Sequence, residues 1–151
     1  MQTIHWHTKS FEELTGTEVY DILKLRTDVF VVEQACAYGE VDGKDKQCLH
    51  VFATKARQVI AYARIVPPRL SYPEISIGRV VVDAAYRKDG LGGVLIRYTI
   101  EKIEEEFGAQ AIQIGAQCYL KKFYESFGFV AVSDDYLEDG IPHVDMLRNI
   151  E

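Results

Sequence analysis

The most constraining feature of the sequence is an apolar strand that leads through a glycine-rich turn into a long amphipathic helix. The strand pattern covers Ile75 to Val82, and its second half, Val80-Val81-Val82, is continuously apolar, which indicates burial on both faces. Apolar residues then recur at helical spacing from Leu91 to Phe107, and a further strand pattern covers Ala111 to Gly115. A strand–helix–strand unit of this kind predicts one right-handed, parallel crossover.

The remaining patterns predict an α/β (α+β) fold rather than a doubly wound one. We expect Val94 and Phe107 to lie on the inward face of the long helix, and Thr17 to cap an earlier helix that ends near Val31. No Pro-, Gly- or Ser-rich linker divides the chain, so a single domain over residues 1–151 is expected. The other predicted segments are a hairpin of Cys48–Thr54 and Val59–Val66, a short helix over Tyr119–Phe127, and terminal strands over Phe129–Val132 and Val144–Leu147.

Composition excludes several classes of function. The 151 residues are 48% hydrophobic and carry a formal net charge of −6, which argues against a protein that binds nucleic acid through a positive face. No apolar run reaches the roughly 18 residues of a membrane span. Three cysteines without an N-terminal signal pattern predict a cytoplasmic location. No set of four ligands has a recognised zinc spacing, so no metal is expected.

The turn before the long helix is a candidate anion site. Gly90, Gly92 and Gly93 remove side chains where the first amides of a helix are unpaired, and Arg87 adds a cationic fork. The alternative is that the glycines only tighten the turn and that Arg87 is a solvated surface residue. The spacing fits neither the nucleoside-triphosphate loop nor the dinucleotide fingerprint, which weakens both of those interpretations.

Two motifs in this order resemble those of the GNAT N-acetyltransferase superfamily. Arg87-x-x-Gly90-x-Gly92 after a strand resembles its motif A, and Lys122 to Phe129 resembles its motif B. A narrower resemblance, to the ElaA-type branch, covers almost the whole chain. It rests on the segments Leu25–Gln34, Glu40–Asp45, Ile77–Val82 and Glu138–His143.

The resemblance implies a GNAT fold, in which a central, mostly antiparallel sheet is flanked by helices and splays between its two central parallel strands. It further implies that acetyl-CoA lies in that opening, and that Tyr124 protonates the departing thiolate. A core aromatic is the alternative for Tyr124. The implied coenzyme contacts are Val80, Val81 and Val82 for the pantetheine arm and thioester, Arg87 with the amides of Lys88, Asp89, Gly90, Leu91, Gly92 and Gly93 for the pyrophosphate, and Gln117.

The sequence departs from the family pattern at three places. Asp89 brings negative charge near the proposed pyrophosphate site, and Gln117 stands where many relatives have asparagine. No glutamate occupies positions 79–82, where some members place the general base. The candidate bases are therefore Glu33 first, then His143, with His50 a further candidate. A solvated carboxylate and structural histidines are the alternatives.

The expected function is transfer of an acetyl group from acetyl-CoA to a primary amine by direct attack in a ternary complex. The acceptor is a small-molecule or peptide amine, and the carboxylates Glu33, Glu40, Asp42 and Asp45 suggest that it is cationic. Two alternatives stay open: an acyl-homoserine-lactone synthase, whose start the Arg26–Glu33 stretch also resembles, and a non-catalytic CoA sensor.

Two further expectations concern charge and assembly. Arg26 and Arg79 interrupt apolar stretches, so each needs a partner such as Glu33, Glu40 or Asp42. An edge strand near the C-terminus could pair with a second copy, which makes a homodimer possible.

Overall fold

A computed structural model describes residues 3–150, which form one eight-stranded sheet with helices on both faces. The ends of the predicted domain, residues 1, 2 and 151, lie outside this range. The strands are β1 His5–Ser10, β2 Leu49–Lys55, β3 Gln58–Val66, β4 Ile75–Val82, β5 Ile112–Gln117, β6 Phe129–Ala131, β7 Tyr136–Glu138 and β8 Ile141–Arg148. The helices are α1 Gly16–Arg26, continued by a π-helical segment Thr27–Glu33, α2 Leu91–Phe107 and α3 Lys121–Glu125.

The sheet is mixed, with the strand order β1-β2-β3-β4-β5-β8-β6 and with β7 also paired to β8. Only β4 and β5 run parallel, and they pair only through Ile75 with Ile112 and Ser76 with Gln113. Beyond these two pairs the strands separate, while all other neighbouring strands are antiparallel. The predicted fold, a mostly antiparallel sheet splayed between two central parallel strands, is confirmed.

Each face of the sheet carries its own apolar core. On one face α2 packs Leu95, Ile96 and Ile103, all fully buried, against the inner strands. On the other face α1 packs Ile22 and Leu25 against the sheet. Burial of such side chains contributes about 1.5 to 3 kcal/mol each. The two helices therefore cover the sheet around the gap between β4 and β5 without filling it.

The first helix begins and ends differently from the prediction. Its N-cap is Thr15 rather than Thr17, because the Thr15 hydroxyl accepts from the Glu18 amide while the Glu18 carboxylate accepts from the Thr15 amide. The α-helix ends at Arg26, and wider π-helical turns carry the chain on to Glu33. Such turns are frequent at functional sites, and this one carries Val29, Phe30 and Glu33 to the sheet opening.

Several sequence predictions need correction in detail. Val94 and Phe107 are exposed, whereas Ile96 and Thr99 face the core, because the buried stripe of α2 follows the 3.6-residue period more closely than the predicted one. Strand β1 was not predicted, since its partly exposed residues give no apolar alternation, and β7 is only three residues long. The other predicted segments are confirmed with shifted ends; the short helix is α-helical only over Lys121–Glu125 and follows a 3-10 turn, Cys118–Leu120.

Within residues 3–150, no helix combines the length and apolar character needed to cross a bilayer.

Candidate active site

The separation of β4 from β5 opens a cleft of about 770 Å³. Its lining comes from β3, β4, β5, the π-helical end of α1, the start of α3 and the β7–β8 hairpin. Cavities of this size hold small molecules and cofactors. Nine of the residues predicted from the sequence line it: Glu33, Val80, Val81, Val82, Arg87, Gly92, Gln117, Tyr124 and His143.

A β-bulge shapes the β4 side of the cleft. Tyr62 pairs with Val81 and Arg64 pairs with Gly78, so β4 has one residue more than β3 between these pairs. Arg79 takes up the extra residue with a φ of 52°, a left-handed conformation that is uncommon outside glycine. The bulge bends the strand at the point where Val80, Val81 and Val82 enter the cleft wall.

The glycine-rich turn leads into α2 at one end of the cleft. A 3-10 turn, Ala84–Asp89, is followed by Gly90, whose φ of 72° is accessible to glycine at little cost. Gly92 lies against Phe123 and Val82, and no side chain caps the helix. The first amides of α2 thus lack intrahelical partners. Lys88, Asp89 and Gly90 are exposed, Leu91 points into the core and Gly93 lies beside Phe127.

Arg87 and Glu33 form a bidentate ion pair across the mouth of the cleft. Arg87 Nη1 and Nη2 donate to the two Glu33 oxygens over 2.7 and 2.8 Å, and Arg87 Nε donates to the Val82 carbonyl. The hydrogen bonds from Arg87 hold the pKa of Glu33 below its usual value. Two residues predicted for different roles, coenzyme binding and proton abstraction, are therefore held together.

Tyr124 is buried at 6% exposure and still lines the cleft. Its ring packs edge-on against Phe123 and Phe129. Among residues 3–150 no side chain or backbone group is hydrogen-bonded to its hydroxyl. Burial raises the pKa of Tyr124 well above its usual value, so the phenol stays protonated at neutral pH.

His143 lines the cleft from β8, where it pairs with Gln117 of β5, and its tautomer is fixed. Nδ1 is 2.7 Å from the Ile141 carbonyl, and because a carbonyl only accepts, Nδ1 carries the hydrogen. The second nitrogen, Nε2, is 3.4 Å from a Glu138 carboxylate oxygen. A neutral His143 therefore presents an unprotonated Nε2, and Glu138 stands where it would stabilise the imidazolium.

A largely buried ionic network borders the cleft on the β3–β4 side. Three arginines, Arg26, Arg64 and Arg79, bind three carboxylates, Glu40, Asp42 and Asp45. Burial acts to raise the pKa of Asp42, but the hydrogen bonds and charge of the arginines hold it well below its usual value. The predicted pairing of Arg26 and Arg79 is confirmed with Glu40 and Asp42.

Glu33, the third carboxylate named as an alternative partner, binds Arg87 instead. The expectation that Glu33, Glu40, Asp42 and Asp45 attract a cationic acceptor loses its basis, since arginines neutralise all four. Arg64 was overlooked, although it interrupts an apolar strand just as Arg79 does.

The remaining candidates take structural positions. Gln117 and Gln34 form a pair of reciprocal amide hydrogen bonds of 3.3 and 3.4 Å within the cleft. His50 is buried outside the cleft lining; its Nε2 donates to the Asp45 carbonyl and its Nδ1 accepts from the Tyr62 hydroxyl.

No group of three or more potential metal ligands occurs within the described part of the chain. The three cysteines are free thiols, and desolvation raises the pKa of Cys118.

Comparison with known proteins agrees with this geometry. The family model described as "Acetyltransferase (GNAT) domain" matches residues 13–149. The chain belongs to the GNAT acetyltransferase family. Protein ElaA of Escherichia coli is 38% identical over 149 residues, which span 97% of each chain. The crystal structure of Escherichia coli ElaA matches this GNAT enzyme with a TM-score of 0.91, over 97% of this chain and 100% of that one. An acyl-CoA N-acyltransferase from Pseudomonas aeruginosa is 41% identical, with a TM-score of 0.90 over 95% of this chain and 99% of that one.

The predicted GNAT resemblance and its ElaA-type branch are thus confirmed, and the chain is an acyltransferase. A CoA-dependent acyl-homoserine lactone synthase, BjaI, is also similar, with a TM-score of 0.79 over 100% of this chain and 84% of that one. At 18% identity this likeness concerns the fold alone.

One cluster beside the GNAT cleft has no counterpart in the sequence predictions. The hydroxyls of Tyr72 and Tyr136 both donate to Asp145 Oδ1, over 3.0 and 2.7 Å, next to Gly115 of β5. Tyr72 belongs to a proline-containing loop and Tyr136 to a three-residue strand, so no local pattern marks either. The strand register alone, which places Asp145 opposite Gly115, could have drawn attention to the carboxylate.

Proposed function

We propose that this GNAT enzyme transfers an acetyl group from acetyl-CoA to a primary amine by direct attack within a ternary complex. The observation that carries the proposal is the divergence of β4 and β5 around a cleft into which the buried Tyr124 projects. A cleft that reaches both the glycine-rich turn and the β7–β8 hairpin has room for two substrates at once.

The coenzyme half of the cleft has the groups that the thioester and the pyrophosphate need. The bulged strand supplies backbone at Val80, Val81 and Val82, where an amide would polarise the thioester carbonyl. The uncapped start of α2 and Arg87 supply donors for the pyrophosphate. Gly92 keeps that approach free of a side chain.

Tyr124 is the proposed acid. The amine nitrogen bonds to the thioester carbonyl carbon, the carbon–sulfur bond then breaks, and the departing thiolate takes the phenolic proton. The pKa of Tyr124 is raised by burial, which keeps that proton in place until the sulfur leaves. Its hydroxyl is not engaged by another group of the described chain, so it is available to the sulfur.

His143 is the proposed base, ahead of Glu33. With Nδ1–H fixed on the Ile141 carbonyl, Nε2 is free to take a proton from the attacking ammonium. Glu138 then holds the imidazolium that forms. Glu33 is less suited to this step because Arg87 lowers its pKa and occupies both of its oxygens.

The acceptor is proposed to be a small-molecule or peptide amine. Initial rates of thiol release, measured while acetyl-CoA and a primary amine are both varied, should give intersecting lines, as direct transfer requires. Incubation with acetyl-CoA alone should leave the protein unacetylated, and Cys118→Ser should retain activity. An acetylated protein intermediate would contradict direct transfer.

The same assay separates the alternatives. A CoA sensor would bind acetyl-CoA without releasing thiol in the presence of any amine. Thiol release that requires S-adenosylmethionine would favour a synthase.

A further inference from the structure

One carboxylate directly behind the cleft wall is held by phenols instead of arginines. Asp145 Oδ1 accepts hydrogen bonds from Tyr72 and Tyr136, and Tyr72 lines the cleft together with Gly115. A Cβ on Gly115 would lie 2.7 Å from the Tyr72 hydroxyl and 3.2 Å from that of Tyr136. The glycine therefore leaves room for both phenols to meet on one carboxylate oxygen.

In this arrangement the phenols and the carboxylate can only accept hydrogen bonds from a ligand. Each phenol has one hydrogen, and both hydrogens are directed at Asp145, so the phenolic oxygens can only accept further hydrogen bonds. Burial and the neighbouring carboxylate raise the pKa of Tyr72 to about 12, which keeps it a neutral phenol. Within residues 3–150, no lysine, arginine or histidine forms an ion pair with Asp145. A cation with N–H donors is the complementary ligand.

The neighbouring charges favour the same ligand. The carboxylates of the β3–β4 side are neutralised by arginines, whereas Glu138 has only His143 beside it. The cleft-lining Lys44 donates to the neutral Ser71 hydroxyl, so its positive charge stays near the loop of Tyr72. Of the carboxylates named here, Glu138 and Asp145 are the two that no arginine or lysine binds within residues 3–150, and both belong to the β7–β8 side.

We propose that Tyr72, Asp145 and Tyr136 form a subsite for a second cationic group of the acceptor. The acceptor class is then an amine that carries another ammonium at a distance, such as a linear diamine. One ammonium contacts the cleft-lining Tyr72 oxygen, with the Asp145 carboxylate and Tyr136 directly behind it, while the other, deprotonated, attacks the thioester. This inference rests on the proposed acetyl transfer, because it concerns the acceptor of that reaction.

The test compares a series of linear diamines with monoamines of the same chain length, using kcat/KM for thiol release from acetyl-CoA. Hydrogen bonds to charged groups are worth about 1.5 to 3 kcal/mol, so the best diamine should exceed its monoamine by roughly 10- to 100-fold. Asp145→Asn should bring that ratio close to one. The exposed Asp134, whose carboxylate is not the one that Tyr72 and Tyr136 bind, gives the matched control: Asp134→Asn should keep the ratio of the unmodified protein.

Two further variants change the subsite without removing its charge. Tyr72→Phe deletes one acceptor oxygen and should lower the ratio in part. Gly115→Ala pushes the Tyr72 hydroxyl away and should do the same. These variants provide the test if Asp145→Asn does not fold.

The outcomes distinguish the two proposals. Efficient acetylation with equal rates for diamine and monoamine, or a ratio that survives Asp145→Asn, would overturn the subsite and leave the proposed acetyl transfer in place. Absence of thiol release with every amine tested would overturn the acetyl transfer, and the subsite with it.

Discussion

The carboxylates on the two sides of the cleft have different kinds of partner. On the β3–β4 side, Glu40, Asp42 and Asp45 are neutralised by three arginines in a buried network. On the β8 side, Asp145 meets two phenols and Glu138 meets an imidazole. The first arrangement fixes the backbone, because every charge has a partner. The second leaves negative charge available to a ligand.

This difference shows why a count of acidic residues does not locate a cation site. The chain carries 23 acidic residues and a net charge of −6, yet Glu40, Asp42 and Asp45 are each paired with an arginine. What matters is which carboxylates the fold leaves without a cation.

The largest expected effect comes from breaking the arginine network. Arg26→Met would remove the Arg26 bonds to Asp45 and to Glu40, which is 5% exposed and keeps Arg79 and the Tyr38 hydroxyl as partners, at a cost of about 3 kcal/mol in the free energy of unfolding. Chemical denaturation measures this loss. Lys24→Met, on the same helix, removes an exposed ion pair with Asp28 and should change stability little. Equal stability of the two variants would mean that the network does not hold the fold.

Tyr124→Phe tests the proposed protonation of the departing thiolate. Turnover should fall by roughly 10²-fold, the lower end of the range for loss of a proton-transfer group. The free energy of unfolding should change little, because the hydroxyl has no hydrogen-bond partner among residues 3–150. Tyr20→Phe, exposed on α1, is the control and should leave turnover intact. Unchanged turnover of Tyr124→Phe, with the chemical step rate-limiting, would remove this residue from the mechanism.

The two sides also differ in their histidines, which gives a prediction for pH. Burial lowers the pKa of His50 below its usual value of about 6.5. As the pH falls, His50 is therefore protonated in the unfolded chain before it is protonated in the folded one. The free energy of unfolding should fall as the pH drops through about 6.5. Denaturation on either side of this pH, compared with His50→Gln, measures the effect. Asp42 and Asp45 do not contribute in this window, because their pKa values are lowered. The same pH dependence in His50→Gln would contradict the assignment.

The smallest effect is expected at the mouth of the cleft. Glu33→Gln would free Arg87 from its exposed ion pair and tighten acetyl-CoA binding by roughly two- to fivefold, the equivalent of about 0.4 to 1 kcal/mol for such a pair. Calorimetry gives the affinity, and the same preparation gives turnover. A large loss of turnover with unchanged affinity would instead favour Glu33 as the base.

The sequence predicted the coenzyme half of the site better than the acceptor half, for a physical reason. Arg87, Gly90 and Gly92 are close in the chain, and a helix start places them together through local geometry alone. The acceptor half joins Tyr72, Asp145 and their neighbours across the sheet, so only the tertiary fold brings them together. The ion pair between Glu33 and Arg87 was not predictable for the same reason, because the two residues are 54 positions apart in the chain.

The edge strand β1 could not be predicted from the apolar pattern of the sequence either. Strand β1 is partly exposed and shows no apolar alternation, whereas β4 and α2 are marked by continuous or helical apolar patterns that their burial requires.

The most direct test of the account is calorimetric titration of the protein with acetyl-CoA, alongside Gly92→Glu, which places a carboxylate at the start of α2 where the pyrophosphate is proposed to lie. The account predicts saturable binding that the variant loses while its thermal unfolding is preserved. Absence of binding to the folded, unmodified protein would contradict it, and the glycine-rich turn would then serve only to connect β4 with α2.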